Sequence, residues 1–263
     1  MEDRYKGGES GAFRISHSTL QTFLMCALRH FLRERYKIRR ATIPMVIGTA
    51  VARAAEYDNT AKASGARRVA LVELQDVAAA AYSEEAESVE LQISATGILG
   101  GGLDSAVAAT AGYHRDISPT VTDPIVMEEP IIATISEGIE LAGTPDLIEP
   151  GIVRDLKTGQ PWTQTRADRS RQLTGYDLLH EARFGRTARR VAIDSVSRQP
   201  KGWRGETLWS RRDERDREAF VQTVEAAVCA IKAGNAVPAP DSAWYCSENH
   251  CELWNVCTAR PGA

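Results

Sequence analysis

The sequence lacks features typical of several protein classes. None of its apolar runs approaches the roughly 18 residues of a membrane-spanning helix, and its first residues lack the apolar core of a secretory signal. Its net charge of −3 excludes the uniform positive coat of a non-specific nucleic-acid binder. We therefore expect a cytoplasmic protein without a membrane partner. With 43% hydrophobic and 25% charged residues, the 263-residue chain is typical of a soluble globular protein with a substantial core.

The charges that are present are unevenly distributed. Basic residues are concentrated in residues 29–40 and in residues 166–190, which include seven arginines, whereas residues 73–90 are acidic. Such asymmetry suits a protein that meets a polyanion on one face. Solvated helix faces would give the same pattern, so the charges alone do not decide between these two interpretations.

Cysteine is scarce, but its placement is informative. Disulfides are rare in a cytosolic protein, so clustered cysteines indicate metal or redox chemistry. Three cysteines lie near the C-terminus and one lies more than 200 residues upstream; these four are Cys26, Cys246, Cys251 and Cys257. Four thiolates suit a [4Fe–4S] cluster or a structural zinc ion. The wide spacing favours the cluster, although His250 keeps a mixed zinc site open. The fifth, Cys229, lies in an apolar helical pattern and is interpreted as a buried hydrophobe.

The order of local patterns predicts an α/β protein. Residues 1–14 are polar and predict a flexible arm, and residues 15–263 predict a single domain. Within it we expect a mainly helical part (15–120), a sheet core (121–234) and a C-terminal segment (235–263). Ser16 is a predicted N-cap, and the helix that it begins has apolar residues at helical spacing as far as Phe31. Further helices are predicted over residues 45–61, 68–88, 103–114, 167–184 and 211–233.

Short β-branched segments after Pro124 predict strands of one mixed sheet. Within Asp155-Leu156-Lys157, the alternation of a strand puts Asp155 and Lys157 on one face. Asp146, in Gly-Thr-Pro-Asp, is separated from Asp155 by eight residues and is expected at the end of an adjacent strand. Two carboxylates at that position can share Mg²⁺ or Mn²⁺, and a neighbouring lysine can orient a water for phosphodiester hydrolysis. A strand-end ion pair is the alternative interpretation.

At this point the sequence resembles the RecB-like branch of the PD-(D/E)XK nucleases, which includes iron–sulfur CRISPR-adaptation nucleases and AddB-type helicase–nucleases. The resemblance covers most of the chain and rests on motifs in the family's order. These motifs are Ser16-x-Ser18-x-Leu20-x-x-Phe23-x-x-Cys26, Gly48-x-x-Val51, Gly143-x-x-Asp146, Asp155-Leu156-Lys157-Thr158, Gln172-x-x-x-Tyr176 and the terminal cysteines.

The resemblance implies a restriction-endonuclease-like core and assigns roles to residues. It implies that Asp146 and Asp155 bind the metal, with the Leu156 carbonyl as a further ligand, and that Lys157 is catalytic. It also implies that Gln172 and Tyr176, one helical turn apart, contact DNA. For these two, a surface amide and a core tyrosine are the alternative. The four cysteines are implied to hold a [4Fe–4S] cluster that joins the C-terminal segment to Cys26.

The sequence departs from the family pattern at one metal ligand. The family's Gly-x-x-x-His motif reads Gly48-Thr-Ala-Val-Ala52 here, so alanine stands at the histidine position. Three explanations are open. Ala52 is an engineered substitution, the natural site uses fewer protein ligands, or Glu56, one turn further along the helix, reaches the metal.

The sequence therefore predicts a metal-dependent DNA nuclease. We expect an exonuclease acting on single strands or duplex ends in recombination, repair or end processing, with a helicase, recombinase or CRISPR-adaptation protein as partner. A catalytically silent DNA-end-binding scaffold subunit is the main alternative, favoured by Ala52 and opposed by the intact Asp146, Asp155 and Lys157. A nuclease acting on RNA is a third. A basic stretch with an aromatic residue, Arg198 to Arg204, suits either a surface loop or a stacking contact with a single strand.

Overall fold

The computed structural model describes residues 6–7, 11–38, 40–65, 68–88, 90–91 and 99–260. These residues group into two compact units, each made of segments distant in sequence. The first comprises Met1–Arg40, Ile131–Gly143 and Asp213–Ala263, and the second comprises Ala41–Pro130 and Thr144–Arg212. Within the described ranges, no helix is long and apolar enough to cross a membrane.

The secondary structure alternates between helical and extended stretches. The helices are α1 (His17–Met25), α2 (Ala27–Tyr36), α3 (Ile43–Ala63), α4 (Leu71–Ser88), α5 (Leu99–Asp116), α6 (Gln164–Asp168), α7 (Arg171–Phe184) and α8 (Glu214–Lys232). The strands are β1 (Lys6–Gly7), β2 (Ala12–Ser16), β3 (Arg40–Ala41), β4 (Glu90–Leu91), β5 (Val126–Met127), β6 (Ile131–Ser136), β7 (Ile139–Gly143), β8 (Leu147–Glu149), β9 (Ile152–Gly159), β10 (Arg190–Gln199) and β11 (Gly202–Ser210).

The second unit contains a five-stranded mixed sheet in the order β11-β10-β9-β8-β5. Strands β9 and β10 are parallel, with Asp155 opposite Ile193 and Lys157 opposite Ser195, and the other neighbours are antiparallel. Helices α3, α4 and α5 share an apolar cluster with Leu156 and Val196 of this sheet. The cluster includes fully buried alanines of α3 such as Ala50 and Ala54, whose small side chains let the helices approach closely. The predicted α/β fold with a mixed central sheet is confirmed.

The first unit contains a four-stranded sheet in the order β1-β2-β7-β6, together with α1, α2 and α8. Helix α1 begins at the predicted cap, since the Ser16 side chain accepts the Thr19 backbone N–H. It does not continue to Phe31 as predicted. Cys26 adopts an extended conformation that ends α1, and its Sγ then caps α2 by accepting the Arg29 N–H at 3.3 Å. The Cys26 sulfur thus satisfies one of the backbone N–H groups that have no partner within the first turn of a helix.

Several predictions about local structure were wrong. The strands do not form one sheet, because β6 and β7 pair with β2 in the first unit. Strand β8 was not predicted, because its three residues are too few to show an alternating pattern. Strand β11 begins at Gly202 and extends over part of the stretch that was interpreted as a loop. The predicted helix over residues 167–184 is divided into α6 and α7. Cys229 is exposed on α8 rather than buried, because the buried face follows Val224, Ala227 and Val228.

Part of the predicted N-terminal arm belongs to a sheet. Residues 12–14 belong to β2 and are not part of an arm, and Lys6–Gly7 pairs with them. Residues 1–5 and 8–10 of that arm lie outside the described residues, as does Arg39 of the basic stretch. The single domain from residue 15 onwards stays a prediction. Helices α1 to α5 lie within residues 15–120, and the predicted division into a helical part, a sheet core and a C-terminal segment also stays a prediction.

Candidate active site

Asp155 and Lys157 point to the same face of β9, as strand alternation requires. The Lys157 ammonium lies 2.7 Å from Asp155 Oδ2, and Asp155 is completely buried. Beyond this ion pair, neither carboxylate oxygen of Asp155 has a hydrogen-bond partner within the described part of the chain. A buried carboxylate so poorly satisfied is costly, and it is the kind of group that a bound cation would neutralise.

Asp146 precedes β8 and is fixed to β9 by one hydrogen bond. Its Oδ2 accepts the Leu156 backbone N–H at 2.5 Å. The β8–β9 register, with Leu147 opposite Arg154, places Asp146 beside Asp155. The antiparallel pairing thus brings together two carboxylates that are nine residues apart.

The two carboxylates and the lysine influence each other's protonation. Burial raises the pKa of Asp146 well above its usual range, and the negative charge of Asp155 raises it further. Burial also raises the pKa of Asp155, against the opposing effect of the Lys157 ammonium. Burial lowers the pKa of Lys157, but the charges of Asp155 and Asp146 more than offset this, so its net pKa is raised. The site holds more negative charge than one lysine balances, which favours a divalent cation.

A pocket next to Asp146 contains both residues singled out on α3. Ala52 and Glu56 line it, together with Asp146 and Leu156, while Asp155 and Lys157 are absent from the described residues that line it. Glu56 also pairs with Arg53 at 3.0 Å. Asp146 therefore connects the pocket residues Ala52 and Glu56 with the Asp155–Lys157 pair, since it lines this pocket and interacts electrostatically with Asp155.

Glu128 is a further acidic residue of this pocket that the sequence analysis missed. It directly follows β5 and has a φ of 48°, a backbone conformation uncommon for a non-glycine residue. Burial raises the pKa of Glu128, and the neighbouring charge of Glu56 acts in the same direction. The only sequence signal was its place in a Glu-Glu-Pro turn after a strand.

The carboxylates are not preassembled into a complete metal site. No group of three or more His, Cys, Asp or Glu side chains is close enough to hold an ion, as far as the described residues go. The residues nevertheless fit a hard divalent cation chemically, because Asp155 has no partner besides Lys157 among the described residues and Asp146 lies beside it. The Leu156 carbonyl belongs to the same strand segment.

Gln172 and Tyr176 form one connected pair on α7. The Gln172 amide donates to the Tyr176 hydroxyl at 3.0 Å, and that hydroxyl donates to the Thr144 carbonyl at 3.0 Å. Tyr176 is buried. It thereby holds the turn two residues before Asp146. The predicted DNA contact of both residues stays a prediction.

Arg154 anchors β9 from the face opposite Asp155. It is almost completely buried, and its guanidinium pairs with Glu149 at 2.8 Å and with Asp194 at 3.1 Å. The same guanidinium donates to the Thr120 carbonyl at 3.0 Å. A buried, fully paired arginine of this kind fixes the strand that carries Asp155 and Lys157.

In the first unit, the structure brings the four predicted cysteines to one pocket. Its lining includes all of Cys26, Cys246, Cys251 and Cys257, with apolar residues such as Leu253 and Trp254. Cys26 Sγ accepts two backbone N–H groups, from Arg29 and from Ala239, each at 3.3 Å. Burial raises the pKa of the Cys246 thiol, and nearby Cys26 and Cys257 raise it further. Thiolates are the ligands that iron–sulfur clusters take, although no three of these cysteines are close enough to hold an ion in the described part of the chain.

Polar contacts tie the cysteine-bearing tail to the first two helices. The Glu252 carboxylate pairs with the guanidinium groups of Arg29 and Arg33. Tyr245 donates its hydroxyl hydrogen to the Met25 carbonyl at 3.1 Å. His250 is exposed and hydrogen-bonds Ser247 Oγ through Nδ1 at 2.9 Å. The described geometry thus leaves His250 out of the cysteine pocket.

Comparison with known proteins shows the family of this chain and its likeness to solved structures. The family model described as the PD-(D/E)XK nuclease superfamily matches residues 14–258. No curated protein matches the sequence. A crystal structure of a Eubacterium rectale protein described as a "putative exonuclease" is 12% identical, with a TM-score of 0.59, over 95% of this chain and 91% of that one. The SSO0001 structure is 16% identical over 89% and 95% of the two chains, and its TM-score of 0.31 supports no argument.

Proposed function

Because this chain belongs to the PD-(D/E)XK nuclease superfamily, we propose that it hydrolyses DNA phosphodiester bonds at the site formed by Asp146, Asp155 and Lys157. The observation that supports this most strongly is the fully buried Asp155 carboxylate, whose oxygens have no partner apart from the Lys157 ion pair in the ranges that the structure describes. A buried and poorly satisfied ionisable group of this kind is typical of catalytic sites.

Mg²⁺ or Mn²⁺ would be held by Asp146 and Asp155, with the Leu156 carbonyl as a further ligand and Glu56 and Glu128 facing the adjoining pocket. Such an ion supplies charge stabilisation at the scissile phosphate and a more acidic water. Lys157 is partly exposed, with 30% of its side chain accessible, so its ammonium reaches solvent while it stays paired with Asp155. We assign to Lys157 Nζ the orientation of the attacking water and the stabilisation of charge on the phosphate oxygens.

The residues around the site hold it in place. Tyr176 fixes Thr144, and the Leu156 N–H fixes the Asp146 carboxylate, so both ends of the Asp146 turn are positioned before substrate arrives. Such preorganisation lowers the cost of reaching the productive geometry. Gln172 positions the Tyr176 hydroxyl, and its contact with DNA is part of this proposal.

We propose that the four cysteines hold a [4Fe–4S] cluster with a structural role, as in the RecB-like branch. The tail has few buried apolar residues, so cluster ligation would supply much of the free energy that orders it. The two backbone N–H groups on Cys26 Sγ support a thiolate at that position. The exposed position of His250 disfavours a mixed zinc site.

An end-directed exonuclease acting in repair, recombination or CRISPR adaptation, with a helicase or recombinase partner, is the biological setting we propose. The likeness to the Eubacterium rectale structure shows the fold alone. A catalytically silent DNA-end-binding subunit is the second candidate, because Ala52 lines the pocket where the family places a histidine.

The test is cleavage of end-labelled single-stranded DNA, duplex DNA and matched RNA in the presence of Mn²⁺. We expect the protein to shorten labelled DNA and Lys157→Ala to be inactive while still binding it. Cleavage of RNA in preference to DNA would replace the DNA assignment. If neither protein cleaves but both bind DNA ends, the silent scaffold is the correct interpretation.

A further inference from the structure

Beyond the catalytic residues, an arginine–tryptophan stack lies at the C-terminal end of β9. The Arg166 guanidinium carbon is 3.7 Å from the centroid of the Trp162 ring. Arg166 is exposed and Trp162 is partly exposed. In a contact of this type the planar cation lies over one face of the aromatic ring, so that the two groups form one stacked pair.

The stack is fixed next to the catalytic strand. The Trp162 backbone N–H donates to Ser195 Oγ at 3.3 Å, and Ser195 is the residue opposite Lys157 in the β9–β10 register. Arg166 is also close enough to interact electrostatically with Lys157. If a phosphate of a nucleic-acid strand binds at Lys157, a neighbouring nucleotide of that strand would therefore lie near Trp162 and Arg166.

Helix α6, which carries Arg166, is held rigidly in spite of its exposure. Gln164 donates to the Trp209 carbonyl at 2.8 Å, and the buried Arg212 guanidinium donates to the Ala167 carbonyl at 2.8 Å. Ser210 Oγ bonds Asp168 Oδ1 at 2.8 Å. These contacts fix both ends of the short helix to β11 and to the residues just after it. The stack is thus a preorganised surface, which reduces the entropy lost on binding.

The charge around the stack is unbalanced. Arg166, Arg169 and Arg171 are all exposed, and none forms an ion pair with an acidic side chain in the portion of the chain that is described. Surface arginines commonly pair with nearby carboxylates, and the only acidic residue of α6, Asp168, is bonded instead to Gln164 and Ser210. Guanidinium groups without such partners suit phosphate oxygens, which they bind in a bidentate manner.

We propose that Trp162 and Arg166 form a subsite for a nucleotide flanking the scissile phosphate in single-stranded DNA, with Arg169 and Arg171 contacting further phosphates. The base would stack on the indole and its phosphate would bind Arg166. Single-stranded DNA is required because its unpaired bases expose their faces, whereas the bases of a duplex do not. This inference rests on the proposed nuclease function for its substrate class.

The test measures the affinity for a fluorescein-labelled single-stranded DNA oligonucleotide by fluorescence anisotropy. EDTA is present so that no cleavage occurs. We expect Trp162→Ala and Arg166→Ala to weaken binding about tenfold each, as loss of one stacked base typically does. Trp162→Phe keeps an aromatic face and should retain most of the affinity. Arg166→Ala should also reduce the slope of log affinity against log salt by about 0.7, the value for one phosphate contact on a single strand.

Arg215→Ala is the matched control, since it removes an exposed arginine from α8, outside the proposed subsite. It should leave affinity close to that of the unchanged protein. Thermal unfolding checks that Trp162→Ala is folded. The proposal is overturned if Trp162→Ala and Arg166→Ala bind as tightly as the control, if the unchanged protein binds no oligonucleotide, or if Trp162 matters only for RNA of the same sequence.

This experiment separates the subsite from the nuclease activity. Binding that depends on Trp162, without cleavage in Mn²⁺, supports the subsite and contradicts the proposed catalysis. Cleavage that is lost in Lys157→Ala but unaffected by both Trp162→Ala and Arg166→Ala, with binding also unaffected, supports catalysis and overturns the subsite.

Discussion

The Lys157 ammonium lies 2.7 Å from Oδ2 of Asp155, a carboxylate that is completely buried and whose oxygens have no hydrogen-bond partner besides this ion pair in the described residues. The pair joins a partly exposed cation to an anion that water does not reach. Asp146 adds a second carboxylate beside it, held by the Leu156 N–H. Stability and function therefore oppose each other at this site.

Neutralising the buried carboxylate should stabilise the metal-free protein. In Asp155→Asn, the cost of burying a poorly satisfied charge is removed, so we expect the free energy of unfolding in EDTA to rise by about 1 kcal/mol. The same variant should lose cleavage. We also expect Mn²⁺ to stabilise the unchanged protein against urea but not this variant. Urea unfolding with and without Mn²⁺ measures both effects. A metal-free variant less stable than the parent would show that Asp155 serves the fold.

Restoring an imidazole at position 52 should strengthen the metal site. Ala52 lines the pocket with Glu56 and Asp146, so the histidine of Ala52→His gains a position from which a neutral nitrogen can bind the cation. We expect tighter Mn²⁺ binding by calorimetry and faster cleavage of end-labelled DNA. The double variant with Lys157→Ala should bind Mn²⁺ but not cleave. Unchanged affinity and rate in Ala52→His would mean that this helix position does not face the metal.

Glu128 should contribute to metal affinity although the sequence analysis missed it. It lines the same pocket as Asp146, and its carboxylate is placed there by the uncommon backbone conformation after β5. Glu128→Gln should weaken Mn²⁺ binding about tenfold, the lower end of the effect of removing an outer partner of a metal site.

The neighbouring Glu129 gives a matched control for that experiment. It is exposed, and its nearest cation is Arg183 at 4.0 Å, outside the pocket. Glu129→Gln removes the same charge one residue away and should leave Mn²⁺ affinity unchanged. Equal losses in both variants would indicate a general effect of charge rather than a specific position in the pocket.

The cysteines should divide into four that matter for the cluster and one that does not. Cys246→Ser should reduce iron and sulfide content, remove visible absorbance and lower thermal stability, because ligation orders the tail. Cys229→Ser, at an exposed position on α8, should change none of these. Zinc without iron in the protein as isolated from anaerobic cells would contradict the cluster assignment.

His114 should make stability depend on pH. Burial lowers the pKa of His114, and the nearby Arg68 acts in the same direction. The unfolded state therefore binds more protons than the folded state below the ordinary histidine pKa of about 6.5. The contribution of neutral His114 is full above that pH and is lost as the pH falls towards the lowered pKa. His114→Asn should flatten the pH dependence of urea unfolding between pH 7.5 and 5.5; an equal slope in both proteins would exclude His114 as its source.

The local part of the site was predictable from the sequence. Strand alternation alone puts Asp155 and Lys157 on one face, because side chains on a strand repeat with period two. The Ser16 cap was equally local, since it depends on a side chain and an N–H three residues apart. Three helices over residues 43–116 followed from apolar spacing, with bounds that differ from the observed ones by a few residues, whereas the helix predicted from Ser16 to Phe31 is divided at Cys26.

What the sequence did not reveal depends on long-range pairing. The β8–β9 register brings Asp146 to Asp155, and β8 itself is only three residues long, which is too short for a recognisable pattern. Glu128 enters the pocket through a backbone conformation after β5 that its own sequence does not specify. Cys229 faces solvent because the elements packed against α8, and not the apolar residues of α8 alone, decide which face of that helix is buried.

The sequence by itself determined the chemical groups and their local faces: a carboxylate and a lysine on one side of a strand, and cysteines at both ends of the chain. Only the tertiary structure decided which groups meet. It buried Asp155 with no partner besides Lys157 among the described residues, and it brought Cys26 into the same pocket as Cys246. It also brought the Trp162 N–H to Ser195, the residue opposite Lys157 in the β9–β10 register. The physical reason is that local backbone preferences act over a few residues, whereas burial and register depend on packing between segments distant in sequence.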